Sequence, residues 1–298
     1  MIRPMHQTDA PEVLALLEWM DDQPEREALA PEARALQDLV WESQEKLCLV
    51  DVDDGGQVRA YCALARAPEG TISAGQVLEG PLGTETMTPG ALAGVVRRVL
   101  QHADGTVYAF CARDNESVRD ALEAAGFSSM HATDFYRVRR TETRVSPALP
   151  AGLTVSYRVD FRTYRSLYRS SEDVWSSRLS WERADFEAHL RRDDVRLLVL
   201  SCGDLVVGFA ELELGETAGL TYLAVHPAER GRGYGRVLLQ EAVREAFARP
   251  EVRELRARAH DHESRARALY HRAGFNHCRS IVTYVWESAA TSLGPLGK

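Results

Sequence analysis

No apolar run in the chain approaches the roughly 18 residues of a membrane span, and the first residues lack a basic segment followed by an apolar signal core. No membrane partner is expected on this reading, and the expected compartment is the cytoplasm. Cysteine is scarce: Cys48, Cys62, Cys111, Cys202 and Cys278 are odd in number, widely spaced and include no Cys-x-x-Cys pair. Buried free thiols are expected, and a structural zinc site has no support. Positive charge is short as well. The 36 Lys and Arg residues face 44 Asp and Glu, a formal net charge of −8, which argues against a general nucleic-acid binder. Lysine is nearly missing, with only Lys46 and Lys298, while arginine is common. So broad a bias reflects coding composition, and no arginine is counted as a phosphate ligand on abundance alone.

What is present is enough apolar residue, 45% of 298, to bury cores, over a length that predicts about two domains. Charge divides unevenly. Residues 1–145 hold 14 basic against 24 acidic side chains, and residues 146–298 hold 22 against 20. In the less acidic half, Leu220 to Gln240 runs from a strand-like segment through His226-Pro227 and a glycine-arginine turn, Arg230-Gly231-Arg232-Gly233-Tyr234-Gly235-Arg236, into an amphipathic helix. Leu238, Leu239, Ala242, Val243, Ala246 and Phe247 form its apolar face, and Pro250 ends it. Glycines that accept positive φ, followed by the free N–H groups of a helix start, make an anion cradle suited to a diphosphate.

Spacing separates the kinds of cradle. A P-loop needs Lys-Ser/Thr after its last glycine, and Arg236-Val237 stand there. A dinucleotide fingerprint needs a third small residue where Arg236 stands, and no acidic residue closes a strand about 20 positions on. The remaining pattern, Arg/Gln-x-x-Gly-x-Gly/Ala after a strand ending Val-x-Pro, is met by Arg230, Gly233 and Gly235. A second block, Glu263 to Phe275 with Leu269-Tyr270 and Gly274-Phe275, follows a strand-like run at Glu254–Ala259. Together they resemble the GNAT superfamily of acyl-coenzyme A N-acyltransferases, whose later motif begins with asparagine where this chain has Glu263.

The second block is repeated. Asn115 to Phe127 aligns without a gap on Glu263 to Phe275 at a spacing of 148 residues. Leu47–Leu64, around Asp53-Asp54-Gly55-Gly56, matches Arg196–Leu212 around Cys202-Gly203-Asp204, a tight hairpin signal in each half. The expected fold is α+β: two tandem GNAT domains, each a mixed, mostly antiparallel sheet flanked by helices. The expected boundaries are 1–140, a linker at 141–152, 153–290 and a flexible tail at 291–298, with final strands at Asn276–Arg279 and Ile281–Trp286. The halves are not equivalent. The first has no arginine-glycine turn, only Gly80 to Gly90 with two prolines, and Leu122 where the second has Tyr270. It is read as a degenerate, noncatalytic copy. This tandem plan, with the Gly126–Asp134 segment, is similar to the mycothiol synthase type of acyltransferase.

The resemblance implies acetyl-CoA as cosubstrate and no metal. Backbone groups of Leu223, Ala224 and Val225 would pair with the pantetheine arm and polarise the thioester. Residues Arg230 to Arg236 would hold the diphosphate, with Glu263 and Tyr270 beside the arm. Tyr270 is the candidate general acid for the departing thiolate. Many relatives place a glutamate base where Gly219 stands; Glu211 and Glu213 on the adjacent strand, Tyr222, or a water relayed by His260 or His262 are the alternatives. The two histidines lack a third ligand, so a metal is not expected there. Acceptor contacts would come from Glu172–Leu190, with Trp175, Trp181 and Phe186, and from near Tyr284. The implied reaction is acetyl transfer to a primary amine of a small molecule or peptide. The competing reading is a noncatalytic acyl-CoA sensor or assembly module.

Overall fold

A computed structural model describes residues 1–66, 75–143, 148–170 and 177–288. The chain forms two compact units, Met1–Thr133 together with Arg279–Lys298, and Asp134–Cys278. In chain order the elements are β1 Ile2–Pro4, α1 Ala10–Asp21, α2 Leu36–Glu42, β2 Leu47–Val52, β3 Val58–Arg66, β4 Gln76–Gly83, α3 Pro89–Leu100, β5 Thr106–Ala112, α4 Glu116–Ala124 and β6 Ser128–Arg139. Then follow β7 Leu153–Ser156, α5 Phe161–Arg169, α6 Arg183–Leu190, β8 Val195–Cys202, β9 Leu205–Glu213, β10 Thr217–Val225, α7 Tyr234–Ala248, β11 Glu254–His260, α8 Ser264–Arg272 and β12 Asn276–Glu287. No described helix is long and apolar enough to cross a membrane.

In the first unit the strand order is β1-β2-β3-β4-β5-β12, and in the second β6-β11-β10-β9-β8-β7. The registers of β1–β2, β2–β3, β3–β4, β5–β12, β7–β8, β8–β9 and β9–β10 are antiparallel, and those of β4–β5 and β10–β11 are parallel. The mixed, mostly antiparallel sheets with flanking helices are those the family resemblance implies. The last strand of each unit is the surprise. Residues Ile281–Glu287 of β12 pair with β5 in the first unit, and the segment of β6 from Asp134 onward lies beside β11 in the second. The 148-residue spacing carries through this exchange: Arg119 Nε donates to the Tyr284 hydroxyl at 3.3 Å in the first unit, and Arg267 Nε to the Tyr136 hydroxyl at 3.4 Å in the second. Set against the expected boundaries, 134–140 go with the second unit and 279–288 with the first. Asn276–Glu287 is one continuous strand rather than two, since no Gly, Pro or Asn-Gly lies within it to turn the chain and Ser280 is buried. Residues 144–147 of the expected linker and the tail at 291–298 lie outside the described residues.

Two cores cover the faces of the second unit's sheet. Leu238, Leu239, Ala242 and Ala246 of α7 pack with Leu198, Leu200 and Leu212 on one face. Tyr164, Tyr168 and Phe186 pack with Leu197, Val199 and Phe209 on the other. Strands β8 and β9 are buried through their centres, which is why they read as apolar runs rather than alternations. Their turn is the two-residue Gly203-Asp204, with Gly203 at φ 58°. In the first unit Leu17, Val50, Tyr61, Leu78, Val96 and Leu122 belong to one core.

Gly208 is where β9 passes closest to its neighbours. A Cβ there would lie 2.4 Å from the Ala224 carbonyl oxygen, 3.0 Å from Leu238 Cδ1 and 3.2 Å from Val225 Cα. Backbone cannot yield as a side-chain tip can, so Gly208→Ala should cost about 1–3 kcal/mol, read as a fall in Tm. Gly219→Ala, whose nearest neighbour would be 3.9 Å away, should stay within about 0.5 kcal/mol. Equal Tm values for the two variants would contradict this packing.

Candidate active site

Strand β10 sets the site. It pairs with β11 through Thr217–Gly219 against Glu254–Arg256, and past these residues no β10–β11 register continues among the described residues. On its other side it stays paired with β9 to Val225, with an irregularity between Leu220 and Tyr222 that leaves Thr221 as the extra residue. Such a bulge reverses the alternation of side chains. Ala218 and Leu220 before it belong to the α7 face; after it Leu223 and Val225 lie there, while Tyr222 and Ala224 go to the opposite face. The stretch Leu223–Val225 therefore combines a packed position with an edge that parts from β11.

The bulge is held by a buried carboxylate. Thr221 Oγ1 donates toward the Glu211 carbonyl at 3.2 Å and Glu211 Oε1 at 3.1 Å. Glu211 is fully buried. Its Oε1 also lies 2.5 Å from Arg178 Nη1 and 3.0 Å from His189 Nε2, and its Oε2 accepts from the Tyr164 hydroxyl at 3.3 Å. Burial alone would raise the carboxyl pKa, but the His189 hydrogen bond and the Arg178 charge outweigh it and hold the group below the ordinary glutamate value. Burial, then the Glu211 charge, push the Tyr164 phenol up. Glu213, two residues on, is a different group: its side chain is 39% exposed, it meets Arg192 at 3.2 Å, and it is the direct cross-strand partner of Gly219. A carboxylate with both oxygens engaged is poorly suited to accept a proton, whereas Glu213 reaches solvent.

Beyond Val225 the chain makes a 3-10 turn at Pro227–Glu229. Arg230 folds inward, with Nε donating to the Val225 carbonyl at 3.2 Å and Nη2 to the Ser170 carbonyl at 3.3 Å. Its side chain braces the turn. Arg232 points outward, 61% exposed, and meets Glu229 at 3.0 Å, and Arg236 is exposed on the first turn of α7. Gly231 and Gly233 take φ 83° and 86°, and no atom lies within 4 Å of where a Cβ would stand on either. Gly233 is the N-cap of α7, which starts at Tyr234. Among the described residues no acceptor is assigned to the N–H groups of Gly231 to Gly235. Unpaired N–H groups at the start of a 15-residue helix, with open space before them, fit an anion. Gly235 closes the cradle's inner wall, where a Cβ would meet Leu269 at 3.6 Å and Val225 at 3.8 Å. That contact brings α8 against β10.

On α8, Tyr270 is 6% exposed, and its hydroxyl donates to the Arg258 carbonyl of β11 at 3.4 Å. Its ring packs on Tyr136 and Phe275. Burial, with the Glu263 charge behind it, raises the phenol pKa, so the group stays protonated through neutral pH. Glu263 does not act as an asparagine would: its Oε2 accepts the His260 N–H at 2.7 Å. His260 and His262 stack at 5.4 Å. Arg178, His189, Tyr164 and Thr221 come from four separate segments with no shared motif, so no residue pattern marks them as partners of Glu211. Trp181 and Phe186 lie within the aromatic cluster as core, and Trp175 lies outside the described residues.

Residues 161–275 match the acetyltransferase (GNAT) family model. A 49-residue stretch is 53% identical to mycothiol acetyltransferase of Streptomyces avermitilis, spanning 16% of this chain and 16% of that protein. Among solved structures, a GCN5-related N-acetyltransferase from Sphaerobacter thermophilus superposes with TM-score 0.65 at 19% identity, covering 96% of this chain and 95% of that one. A tandem GNAT protein from the clavulanic acid biosynthesis pathway does so with TM-score 0.57 at 15% identity, covering 100% and 99%. At these identities the two structures show a shared fold.

Glu211→Gln should lower stability at pH 7 by about 3 kcal/mol, the lower end for breaking a buried pair. Because the folded pKa is depressed, this stabilisation is present above the ordinary value of 4.5 and is lost as pH falls through the lower folded value. The gap between parent and variant should therefore shrink in acid, measured by denaturant unfolding from pH 7 to pH 3. A gap independent of pH would contradict an ionised Glu211.

Proposed function

We propose that the GNAT-family unit, residues 134–278, moves an acetyl group from acetyl-CoA to a primary amine of a small molecule or peptide by direct transfer, and that the first unit is noncatalytic. The observation that carries this reading is the continuous path from the parted edge of β10 at Leu223–Val225 into the open N–H groups of Gly231–Gly235. An elongated molecule with an amide-bearing arm and a diphosphate matches both parts.

The residues divide the chemistry as follows. Backbone groups of Leu223, Ala224 and Val225 align the arm and stabilise negative charge on the thioester oxygen as the amine nitrogen adds to the carbonyl carbon, an effect of about 10²–10³ in rate per donor. Gly231–Gly235 and the α7 terminus anchor the diphosphate, with Arg232 and Arg236 outside it; Arg230 contributes through the turn it braces. The C–S bond then breaks and Tyr270, protonated, supplies the proton to the coenzyme sulfur. Glu213, through water, takes the proton that leaves the amine, filling the role its cross-strand neighbour Gly219 cannot. Glu211 fixes the bulge and does not exchange protons.

Gly233→Val places a branched side chain among the donors at a φ that valine does not adopt, and should weaken acetyl-CoA binding at least about 10-fold (1.4 kcal/mol) by calorimetry. Unchanged affinity would remove the cradle assignment. Tyr270→Phe should leave that affinity intact and lower kcat by about 10²–10⁴, followed by thiol release in an amine panel. Full turnover in this variant would return Tyr270 to packing.

A further inference from the structure

In the first unit, β4 and β5 part as β10 and β11 do: they pair in parallel through Gln76–Leu78 against Val107–Ala109 and no further. The β3–β4 register is also irregular here, with Ala63 opposite Glu79 and Tyr61 opposite Leu82, so Gly80 and Pro81 form the bulge. The space between the two strands is filled. The Leu29 N–H donates to the Phe110 carbonyl at 2.8 Å, the Ala112 N–H donates to the Glu27 carbonyl at 2.7 Å, and Ala28 bridges Cys111 in antiparallel sense. On the opposite side the Gly80 N–H, at the bulge, donates to the Leu29 carbonyl at 2.6 Å. The segment 27–29 is thus bonded to both parted strands at once. Gly80 is the residue this needs, since at φ 91° a Cβ would stand 2.9 Å from the Tyr61 carbonyl.

The segment is also fixed by side chains. Asn115 Nδ2 donates to the Arg26 carbonyl at 2.7 Å, while its Oδ1 caps α4 by accepting the Val118 N–H at 3.2 Å. Glu27 is paired with Arg279, and the Arg26 guanidinium lies 4.5 Å from the Trp19 ring centre. Ala28 is 4% exposed.

We infer that the wedge of the first unit is a binding site for extended peptide backbone, occupied by the chain's own residues 26–29, which take the place an acyl-CoA arm would have and close this unit to the coenzyme. It is strand addition performed within one chain. The Leu29 carbonyl sits on the bulge N–H, the kind of donor that a thioester oxygen would otherwise use. The Asn115 amide, at the position of the family's coenzyme-arm motif, holds the inserted segment instead. By the same 148-residue spacing, 26–29 correspond to 174–177, most of which lies outside the described residues; the inference concerns the first unit alone. It rests on the acyl-CoA reading only for the identity of the excluded ligand.

Hydrogen exchange of the full chain, with and without acetyl-CoA, tests it. The amides of Leu29, Gly80 and Ala112 should exchange at least about 100-fold slower than free-loop amides before any coenzyme is added, and acetyl-CoA should not slow them further. Exchange at free-loop rates, or added protection of 76–83 and 106–112 by acetyl-CoA, would overturn the inference. Slow exchange at the three amides with no effect of acetyl-CoA anywhere would uphold the inserted segment and instead remove the acetyl-CoA reading of the second unit. Leu29→Pro deletes one donor and should speed exchange at Ala112 at least about 10-fold while leaving α7 amides unchanged; no change at Ala112 would count against the seal.

Discussion

The second unit depends on one polar interaction in an apolar place: the hydroxyl of Thr221 on the buried carboxylate of Glu211. A β-bulge leaves backbone groups without ladder partners, and a bulge in a sheet covered on both faces needs a local reason to persist. Glu211 supplies it from the neighbouring strand, and Arg178, His189 and Tyr164 keep the carboxylate ionised and hydrogen-bonded. From this anchor follow the switch of faces along β10, the placement of Leu223 and Val225 against α7, and the aim of the strand into the glycine turn. Helix α8 then meets the start of α7 through Leu269 and Gly235.

The two units solve the same geometrical problem differently. Each has a parallel strand pair that separates after three residues, and separated strands carry N–H and C=O groups that must find partners. The first unit meets that demand with its own backbone at 27–29, so it lacks any need for glycines after β4. The second presents a parted edge next to open donors at Gly231–Gly235. In the first half the inserted segment and the absence of an arginine-glycine turn occur together.

What was legible in the sequence was local. The glycine turn, α7, the hairpins at Asp53–Gly56 and Cys202–Asp204, and the repeat between Asn115 and Glu263 each follow from residue types at short range. The exchange of β6 and β12 was not legible, because strands with the same alternation carry no label for the sheet they join; the strand order and the paired Arg119–Tyr284 and Arg267–Tyr136 contacts reveal it. Glu211 and Glu213 look alike on a regular strand, and what separates them is burial by α5 and α6 together with Arg178, which no spacing encodes. Asn115 stands where the family's motif has its asparagine, and its amide bonds a carbonyl 89 residues away, a partner that local spacing does not encode.

The central claim, one working coenzyme cradle in a chain that contains two copies of the fold, is tested most directly by the stoichiometry of acetyl-CoA binding to the full chain in calorimetry. The account predicts one site per chain. Two sites would contradict the closed first wedge, and the lack of any binding would contradict the cradle at Gly231–Gly235.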